Sequence, residues 1–370
     1  MHQIDVQNVG ENDARLWGLT AKQRLARIVE AKAGSIKVDG SGPILANDHY
    51  VFDWQWLKLI AEKSASVLTV DGIPVLANCT GREQETALRE AMESQQTVSV
   101  SGLTQIETTS GIQLENRELR KRETPFIGRL TMDTARILER QSYYGAYKGV
   151  TDVLTKYLWP ELALVLTRWA ARLGISPNMV TAVGAILCVW ATILFAHGQY
   201  FSGMLAGFVF MVLDTVDGKL ARCTITSSKW GDVFDHGIDL VHPPFWWYAW
   251  AIGLTVYGRP LGAFTENWVL AVILVGYVVQ RLVEGAFMRR FGMHIHVWEK
   301  IDSDFRLITA RRNPNMVILF FATLAGRPDL GLILVAVWTL LSLLFHAVRY
   351  VQAEVRTGTG GAINSWLESR

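Results

Sequence analysis

The chain has 370 residues, half of them apolar and 19% charged, and its 36 basic and 34 acidic side chains give a formal net charge of +2. This length allows two domains or more, and a near-neutral chain without a basic face or tail gives no support to nucleic-acid binding. Three scattered cysteines argue against a disulfide framework and fit a reducing compartment. The amino terminus lacks the basic start and apolar run of a signal peptide, so we expect the amino-terminal region in the cytoplasm.

Residues 1–135 are mixed in polarity and predict a cytoplasmic α/β domain. Apolar runs with strand character are PILAN, SVLTVDGIPVLAN, TVSVSGL and IQLEN, and the helical stretches DWQWLKLIAEKS and GREQETALREAMESQ lie between them. Strands that alternate with helices favour a layered α/β fold. Asp48 and Asp71 follow strand-like runs, where an aspartate either forms a turn or helps to bind a metal.

Residues 151–174 repeat apolar side chains at helical spacing, with basic side chains among them. We interpret this segment as an amphipathic helix on the cytoplasmic membrane surface, with Trp159 and Trp169 as interface anchors. An ordinary helix packed beneath the soluble domain is the alternative interpretation.

Six apolar stretches near the roughly 20 residues needed to cross a bilayer follow in the carboxyl-terminal half. They cover residues 179–197, 203–220, 233–256, 268–287, 314–324 and 330–350. With the amino terminus inside, the inner loops KLARCTITSSKW and MRRFGMHIHVWEKIDSDFRLITARR are strongly basic, as cytoplasmic loops are. The sequence therefore predicts a multi-pass protein of the inner (cytoplasmic) membrane with both termini in the cytoplasm.

Four aspartates interrupt the second and third stretches. Asp214 and Asp217 are three residues apart and Asp235 and Asp239 are four apart, so each pair shares one face of a helix. Unpaired carboxylates are costly at membrane depth, and four of them together would repel one another. Oxygen ligands suit Mg²⁺ or Mn²⁺, and four carboxylates can bridge two ions. The pattern predicts a divalent cation site suited to phosphate chemistry.

Other interpretations of these acids stay open. In these interpretations the aspartates form plain salt bridges with Lys219 and Arg222, relay protons, or serve a proton- or ion-coupled transporter. A carrier would not need glycines and an arginine at fixed offsets from the acids. A membrane anchor for the soluble domain would leave the acids unexplained.

The acids belong to a longer spaced pattern, Asp214-x2-Asp217-Gly218-x2-Ala221-Arg222-x8-Gly231-x3-Asp235-x3-Asp239. This pattern resembles the full signature of the CDP-alcohol phosphotransferases, also called CDP-alcohol phosphatidyltransferases. The resemblance covers about residues 140–350 and includes the six spans and the amphipathic helix before them. It implies an enzyme in which an acceptor hydroxyl attacks the β-phosphorus of a CDP-linked lipid or CDP-linked alcohol, and CMP leaves.

The resemblance also implies roles for single residues. The four aspartates would bind two Mg²⁺ or Mn²⁺ ions, and Asp239 would also act as the general base. The CDP-binding residues would be Asp217, Gly218, Ala221, Arg222, Gly231 and Thr181. Thr181 belongs to Ser176-Pro177-Asn178-x2-Thr181, which is similar to the family's Pro-Asn-x-x-Thr entry and would equally serve as a helix cap.

Acceptor-side candidates are Arg281 and Lys148. Arg281 either binds a phosphate on the acceptor or pairs with Glu284, three residues away. Lys148 lies in YKGVTDVLTK, which is similar to the basic entry segment of the inositol-phosphate branch and would equally start a helix. Membrane lipid is a further partner, and the resemblance leaves room for a homodimer because relatives commonly dimerise through membrane helices.

Several neighbouring residues receive plainer interpretations. Arg311 and Arg312 open the fifth span as positive-inside anchors, and His242 is expected to pack in the core. His294 and His296 have no carboxylate or cysteine partner nearby in sequence, so no metal site is predicted there.

The amino-terminal region has a resemblance of its own. The order NDHYVFD, a helix, then SVLTVD is similar to sugar-phosphate nucleotidyltransferases. A Gly-rich, basic loop that cradles a triphosphate is missing from AKAGSIKVDGSGPILAN. We therefore expect a degenerate, non-catalytic relative over residues 1–135 with a regulatory, scaffolding or dimerising role, a membrane domain over residues 140–355 and a tail over residues 356–370.

Overall fold

A computed structural model of the chain describes residues 4–40 and 42–368. Short strands dominate the amino-terminal region. They are β1 (Val6–Val9), β2 (Arg15–Leu16), β3 (Leu19–Thr20), β4 (Ile44–Asn47), β5 (Tyr50–Phe52), β6 (Ser66–Val70), β7 (Ile73–Asn78), β8 (Thr104–Glu107), β9 (Leu114–Asn116), β10 (Lys121–Glu123) and β11 (Ile127–Arg129). The helices among these strands are α1 (Ala21–Lys32), α2 (Trp54–Ala61) and α3 (Arg82–Ser94).

Five of the strands form a mixed sheet in the order β1-β4-β7-β6-β8. The outer pairs β1–β4 and β6–β8 are parallel, and β7 pairs antiparallel with both β4 and β6. Successive side chains of β4 point to opposite faces: Ile44 and Ala46 pack in the cluster that contains α1 and α2, whereas Leu45 packs with α3. The region is therefore a three-layer α/β arrangement, which confirms the layered fold.

Two strands differ from those that the apolar runs of the sequence predict. TVSVSGL forms no strand: its apolar side chains pack in the cluster that contains Leu88 and Met92 of α3, and the ladder with β6 begins only at Thr104. Strand β1 is not evident in the sequence, since VQNV is short and half polar.

Asp71 and Gly72 form the turn between β6 and β7 with φ values of 52° and 76°. Two positive φ values indicate a type I′ hairpin turn, so Asp71 is a turn former.

The carboxyl-terminal region is helical and membrane-protein-like. Its helices are α4 (Ala135–Gly145), α5 (Pro160–Arg172), α6 (Pro177–Ala196), α7 (Tyr200–Thr224), α8 (Lys229–Tyr257), α9 (Ala263–Phe291), α10 (Lys300–Arg306), α11 (Arg312–Leu324) and α12 (Pro328–Gly358). Among the described residues, three helices, α6, α9 and α12, are long and apolar enough to cross a membrane. The other predicted spans coincide with α7 and α8, which carry the aspartates, and with the 13-residue α11.

The segment predicted as an amphipathic helix is a π-helical turn (Leu154–Leu158) followed by α5. Trp169 is 61% exposed, whereas Trp159 is only 7% exposed and packs against Phe208 of α7. The prediction that Trp159 anchors the protein at an interface is therefore wrong, because this side chain belongs to the core.

Helices α7 and α8 both pack against α6. Indole N–H groups help to fix α8, since Trp246 donates to the carbonyl oxygen of Cys188 at 3.1 Å and Trp250 to that of Pro328 at 3.2 Å. The core that results also includes Trp17 of the α/β region and Tyr143 of α4. The two regions of the chain thus share one hydrophobic cluster.

Candidate active site

Three of the four predicted acids meet at one place. Asp214 of α7 and Asp235 and Asp239 of α8 each offer a carboxylate oxygen, and these oxygens lie within 4.8 Å of one another. Helix α8 begins at a cap in which the Ser228 hydroxyl accepts from the N–H of Gly231 at 3.0 Å. Since the two pairs have helical spacing, each helix presents its acids on one side.

Asp217 lines the same narrow cavity as Asp214 and Asp235, but its carboxylate has protein partners. The Thr181 hydroxyl donates to it at 2.6 Å and the N–H of Gly218 at 2.5 Å. Thr181 is buried, and its hydroxyl also lies 3.1 Å from the carbonyl oxygen of Pro177. Thr181 thus orients Asp217.

An arginine whose position at the start of the fifth span predicts a membrane anchor lies inside the acid cluster. Arg312, the first residue of α11, donates to Asp214 at 2.7 Å and to Asp239 at 2.6 Å. Its guanidinium also lies 4.9 Å from the centre of the Phe210 ring. One sequence signal points to it: a cation in the first turn of a helix opposes the helix dipole and needs a compensating anion.

Lys219 and Arg222 do not pair with the aspartates. Both donate to the backbone carbonyl oxygen of Ala146 at 3.1 Å, and the Lys219 ammonium lies 3.4 Å from the centre of the Tyr147 ring. The salt-bridge interpretation of these two cations is therefore wrong. A Cβ atom on Gly218 would come within 3.1 Å of Arg222 Nη2, so glycine leaves room for the guanidinium.

Glycine also permits a close contact where α8 begins. A Cβ atom on Gly231 would lie 3.0 Å from Asn178 Oδ1 and 3.1 Å from Ser228 Oγ. The absence of a side chain therefore lets the start of α8 approach the start of α6. Ser176 caps α6 by accepting from the N–H of Met179 at 3.3 Å, as its position predicts.

An apolar groove of about 870 Å³ lies between α6 and α8 beside the acids. Ile238 lines both the groove and the acid cavity. Trp230, Phe234 and Asn178 also line the groove. His242 is buried, with Nδ1 2.6 Å from the carbonyl oxygen of Ile238, which agrees with its interpretation as a packed histidine.

A second polar cluster surrounds Glu284 on α9. Arg281 lies 3.1 Å and Arg311 2.6 Å from this carboxylate, so Arg281 forms the ion pair with Glu284 that its spacing allows. His296 and His346 bring ligand atoms within 4.8 Å of Glu284 as well. The sequence missed the carboxylate partner of His296 because the two residues lie on different elements. Two guanidinium groups on one carboxylate disfavour a metal cation there.

The segment between α4 and α5 brings two more ionisable side chains close to the acids, Lys148 and Asp152. Lys148 follows α4, and burial lowers its pKa to about 8, with Arg120 and Arg222 acting in the same direction. Nearby, the buried carboxylate of Asp152 accepts from Asn313 of α11 at 3.0 Å and from the Thr155 hydroxyl at 2.8 Å. Asp152 thus joins the linker to α11, next to Arg312.

Residues 174–339 match the family model described as CDP-alcohol phosphatidyltransferase. Cholinephosphotransferase 1 of Danio rerio is 29% identical over 173 residues, which is 42% of this chain and 42% of that protein. Phosphatidylinositol phosphate synthase of Streptomyces avermitilis is 36% identical over 93 residues, which is 24% of this chain and 38% of that protein. The chain thus spans about two fifths of the length of the curated relatives that it matches.

A solved structure is similar as well. The crystal structure of Mycobacterium tuberculosis phosphatidylinositol phosphate synthase with CDP-DAG bound aligns with 51% of this chain and 94% of its own, at 18% identity and a TM-score of 0.41.

Proposed function

Because the chain belongs, through residues 174–339, to the CDP-alcohol phosphatidyltransferase family, we propose that it is a membrane enzyme of phospholipid synthesis. It transfers a phosphoalcohol or phosphatidyl group from a CDP-linked donor to an acceptor hydroxyl and releases CMP. The observation that carries the proposal is the meeting of Asp214, Asp235 and Asp239 between apolar helices. Acids in such surroundings are functional by default.

The acids fit a hard divalent cation. Three carboxylate oxygens within 4.8 Å of one another are the ligands that Mg²⁺ and Mn²⁺ prefer. Asp217 lines the same cavity and adds a fourth carboxylate, which allows two ions. Bound cations would stabilise the negative charge on the diphosphate oxygens.

The chain's own side chains bind the donor and move the proton. The side chain of Asp239 is 43% exposed, so an acceptor hydroxyl can reach it. It accepts the hydroxyl proton while that oxygen bonds to the β-phosphorus and the bond to the CMP oxygen breaks. Arg222 offers a planar fork for phosphate oxygens, and Gly218, Ala221 and Gly231 line the cytidine diphosphate site.

Two features favour a lipid-linked donor and a phosphorylated polyol acceptor. The groove beside the acids is apolar and large enough to take acyl chains. In the cluster around Glu284, Arg281 has two buried N–H groups without a protein partner, and Arg311 has one. Buried unpartnered guanidinium donors together with Lys148 suit a phosphate on the acceptor.

The proposal extends to topology and to the amino-terminal region. Helices α6, α7, α8, α9, α11 and α12 would cross the inner membrane, with both termini in the cytoplasm. The loop between β1 and β2 (residues 10–14) contains Glu11 and Asp13 and no lysine or arginine. Two acids in this loop disfavour a triphosphate, which supports a non-catalytic nucleotidyltransferase-like domain.

CMP release by the purified protein in lipid micelles tests this function. We expect CMP from CDP-diacylglycerol plus a phosphorylated polyol, dependent on Mg²⁺ or Mn²⁺ and abolished by EDTA. Asp214→Asn should abolish release, whereas Asp232→Asn, an exposed acid outside the cluster, should not. Ion- or proton-coupled flux in proteoliposomes without CMP release would contradict the proposal and favour a transporter.

A further inference from the structure

Helix α1 of the α/β region contacts the carboxyl end of α7, the helix that carries Asp214 and Asp217. Arg24 donates to the carbonyl oxygen of Cys223 at 2.7 Å, and Arg27 donates to that of Thr224 at 2.7 Å. The last carbonyl groups of a helix have no partner within the helix, and cations near them also complement the helix dipole. Burial lowers the pKa of Arg24 to about 10, so the guanidinium stays charged at neutral pH.

The residue that follows α7 also depends on the α/β region. Ile225 has a φ of 54°, a left-handed conformation that a β-branched residue rarely adopts. Its side chain packs against the cluster that contains Leu25 and Ile28 of α1. Packing against the core of the α/β region therefore accompanies the left-handed conformation at which the chain leaves α7.

The same turn of α7 is held on a second side. Arg222 donates to the carbonyl oxygen of Ala146, and the segment around this carbonyl is tied to the α/β region. Lys121 donates to the carbonyl oxygen of Gly145 at 2.6 Å, and the N–H of Gly149 donates to that of Leu119 at 2.8 Å. The last turn of α7 thus lies between two sets of contacts from the amino-terminal region.

We propose that Arg24 and Arg27 are positioning residues that cap α7 and so hold Arg222 and Gly218 in place for the donor's diphosphate. The inference rests on the proposed function for its kinetic part. The α/β region then has a defined role, because it completes the CDP site from outside the membrane helices without chemistry of its own.

The test uses the full-length protein with Arg24→Ala, Arg27→Ala and the double variant, and with Arg24→Lys and Arg27→Lys. The matched control is Arg89→Ala, since Arg89 is bound to Glu85 within α3, away from α7. One readout is the KM for the CDP donor against the kcat of CMP release. The other, independent of activity, is maleimide modification of Cys223 measured by peptide mass spectrometry.

We expect the double variant to raise the donor KM by about tenfold or more, with kcat changed by about twofold at most. Cys223 is buried beside Arg24, so its modification should accelerate about tenfold. Modification of Cys79, which packs with α3, should stay constant. The lysine variants should recover most of the donor KM, because an ammonium can still donate to a carbonyl oxygen.

Three results would overturn the inference. They are a wild-type donor KM with unchanged Cys223 modification, a loss of kcat that merely follows a lower melting temperature, and lysine variants as impaired as the alanine variants. A wild-type protein that releases no CMP would instead refute the proposed function. In that case faster modification of Cys223 in the single Arg27→Ala variant would still support the cap, and an unchanged rate would overturn it.

Discussion

Removing the guanidinium of Arg312 should destabilise the protein and make its stability depend strongly on divalent cations. Arg312 is the cation that bonds to both Asp214 and Asp239, at 2.7 and 2.6 Å. Arg312→Gln keeps most of the side-chain length but removes the charge. Two carboxylates in a largely apolar environment would then lose their protein counter-ion.

The size of the effect follows from the two contacts. A hydrogen bond between charged groups contributes roughly 1.5–3 kcal/mol, and the bond to Asp214 joins side chains only 11% and 18% exposed. Asp239 is 43% exposed, so solvent screening reduces that contact to about 1 kcal/mol or less. We expect a total loss of about 3 kcal/mol in the free energy of unfolding in EDTA.

Denaturant unfolding in detergent micelles, in EDTA and in saturating Mg²⁺, measures this loss. Because a bound cation also neutralises the acids, Mg²⁺ should recover most of the stability of Arg312→Gln and stabilise the wild type less. Arg290→Gln is the control, since Arg290 pairs with Glu354 in an exposed position. A loss below about 1 kcal/mol, or an equal loss with and without Mg²⁺, would refute the reasoning.

Three further predictions concern the reaction and the α/β region. Asp239→Asn should still bind the CDP donor but release CMP at least about 100-fold more slowly, and full activity would remove Asp239 from the base role. Arg281→Ala should raise the KM for a phosphorylated acceptor and leave the donor KM unchanged, as steady-state kinetics with each substrate varied would show. Burial raises the pKa of Asp48 from 3.8 to about 6, so the folded state retains its proton more strongly and wild-type stability falls as pH rises through this range. Asp48→Asn should therefore be more stable than the wild type well above pH 6, by up to about 3 kcal/mol in denaturant unfolding, with no difference below pH 4. A gain that Mg²⁺ reverses would instead indicate metal binding by Asp48.

Local spacing was enough to predict which acids share one face of a helix. Asp214 and Asp217 are three residues apart, and Asp235 and Asp239 are four apart, so each pair lies on one face of a helix. Both segments are helical in the structure, as α7 and α8. The layered α/β region was equally accessible, because β6 and β7 are apolar runs separated by Asp71-Gly72. Such features depend on neighbours within one or two turns of the chain.

Features that depend on distant contacts were not accessible. Arg312 lies 98 residues from Asp214 in sequence, and no periodicity links them. Trp159 has the composition of an interface anchor, yet the packing of Phe208 decides that it is buried. The cap that α1 provides on α7 joins residues almost 200 positions apart. These three features depend on tertiary packing, which the spacing of residues along the chain does not predict.

Direct measurement of Mn²⁺ binding to the purified full-length protein tests the central claim, that acids from α7 and α8 form a divalent cation site. Electron paramagnetic resonance should show two Mn²⁺ ions bound per chain, displaced by Mg²⁺ and bound more tightly when the CDP donor is present. Asp235→Asn should lose at least one of them. Stoichiometric Mn²⁺ binding that persists when Asp214, Asp235 and Asp239 are all changed to asparagine, or no binding to the wild type, would contradict the account.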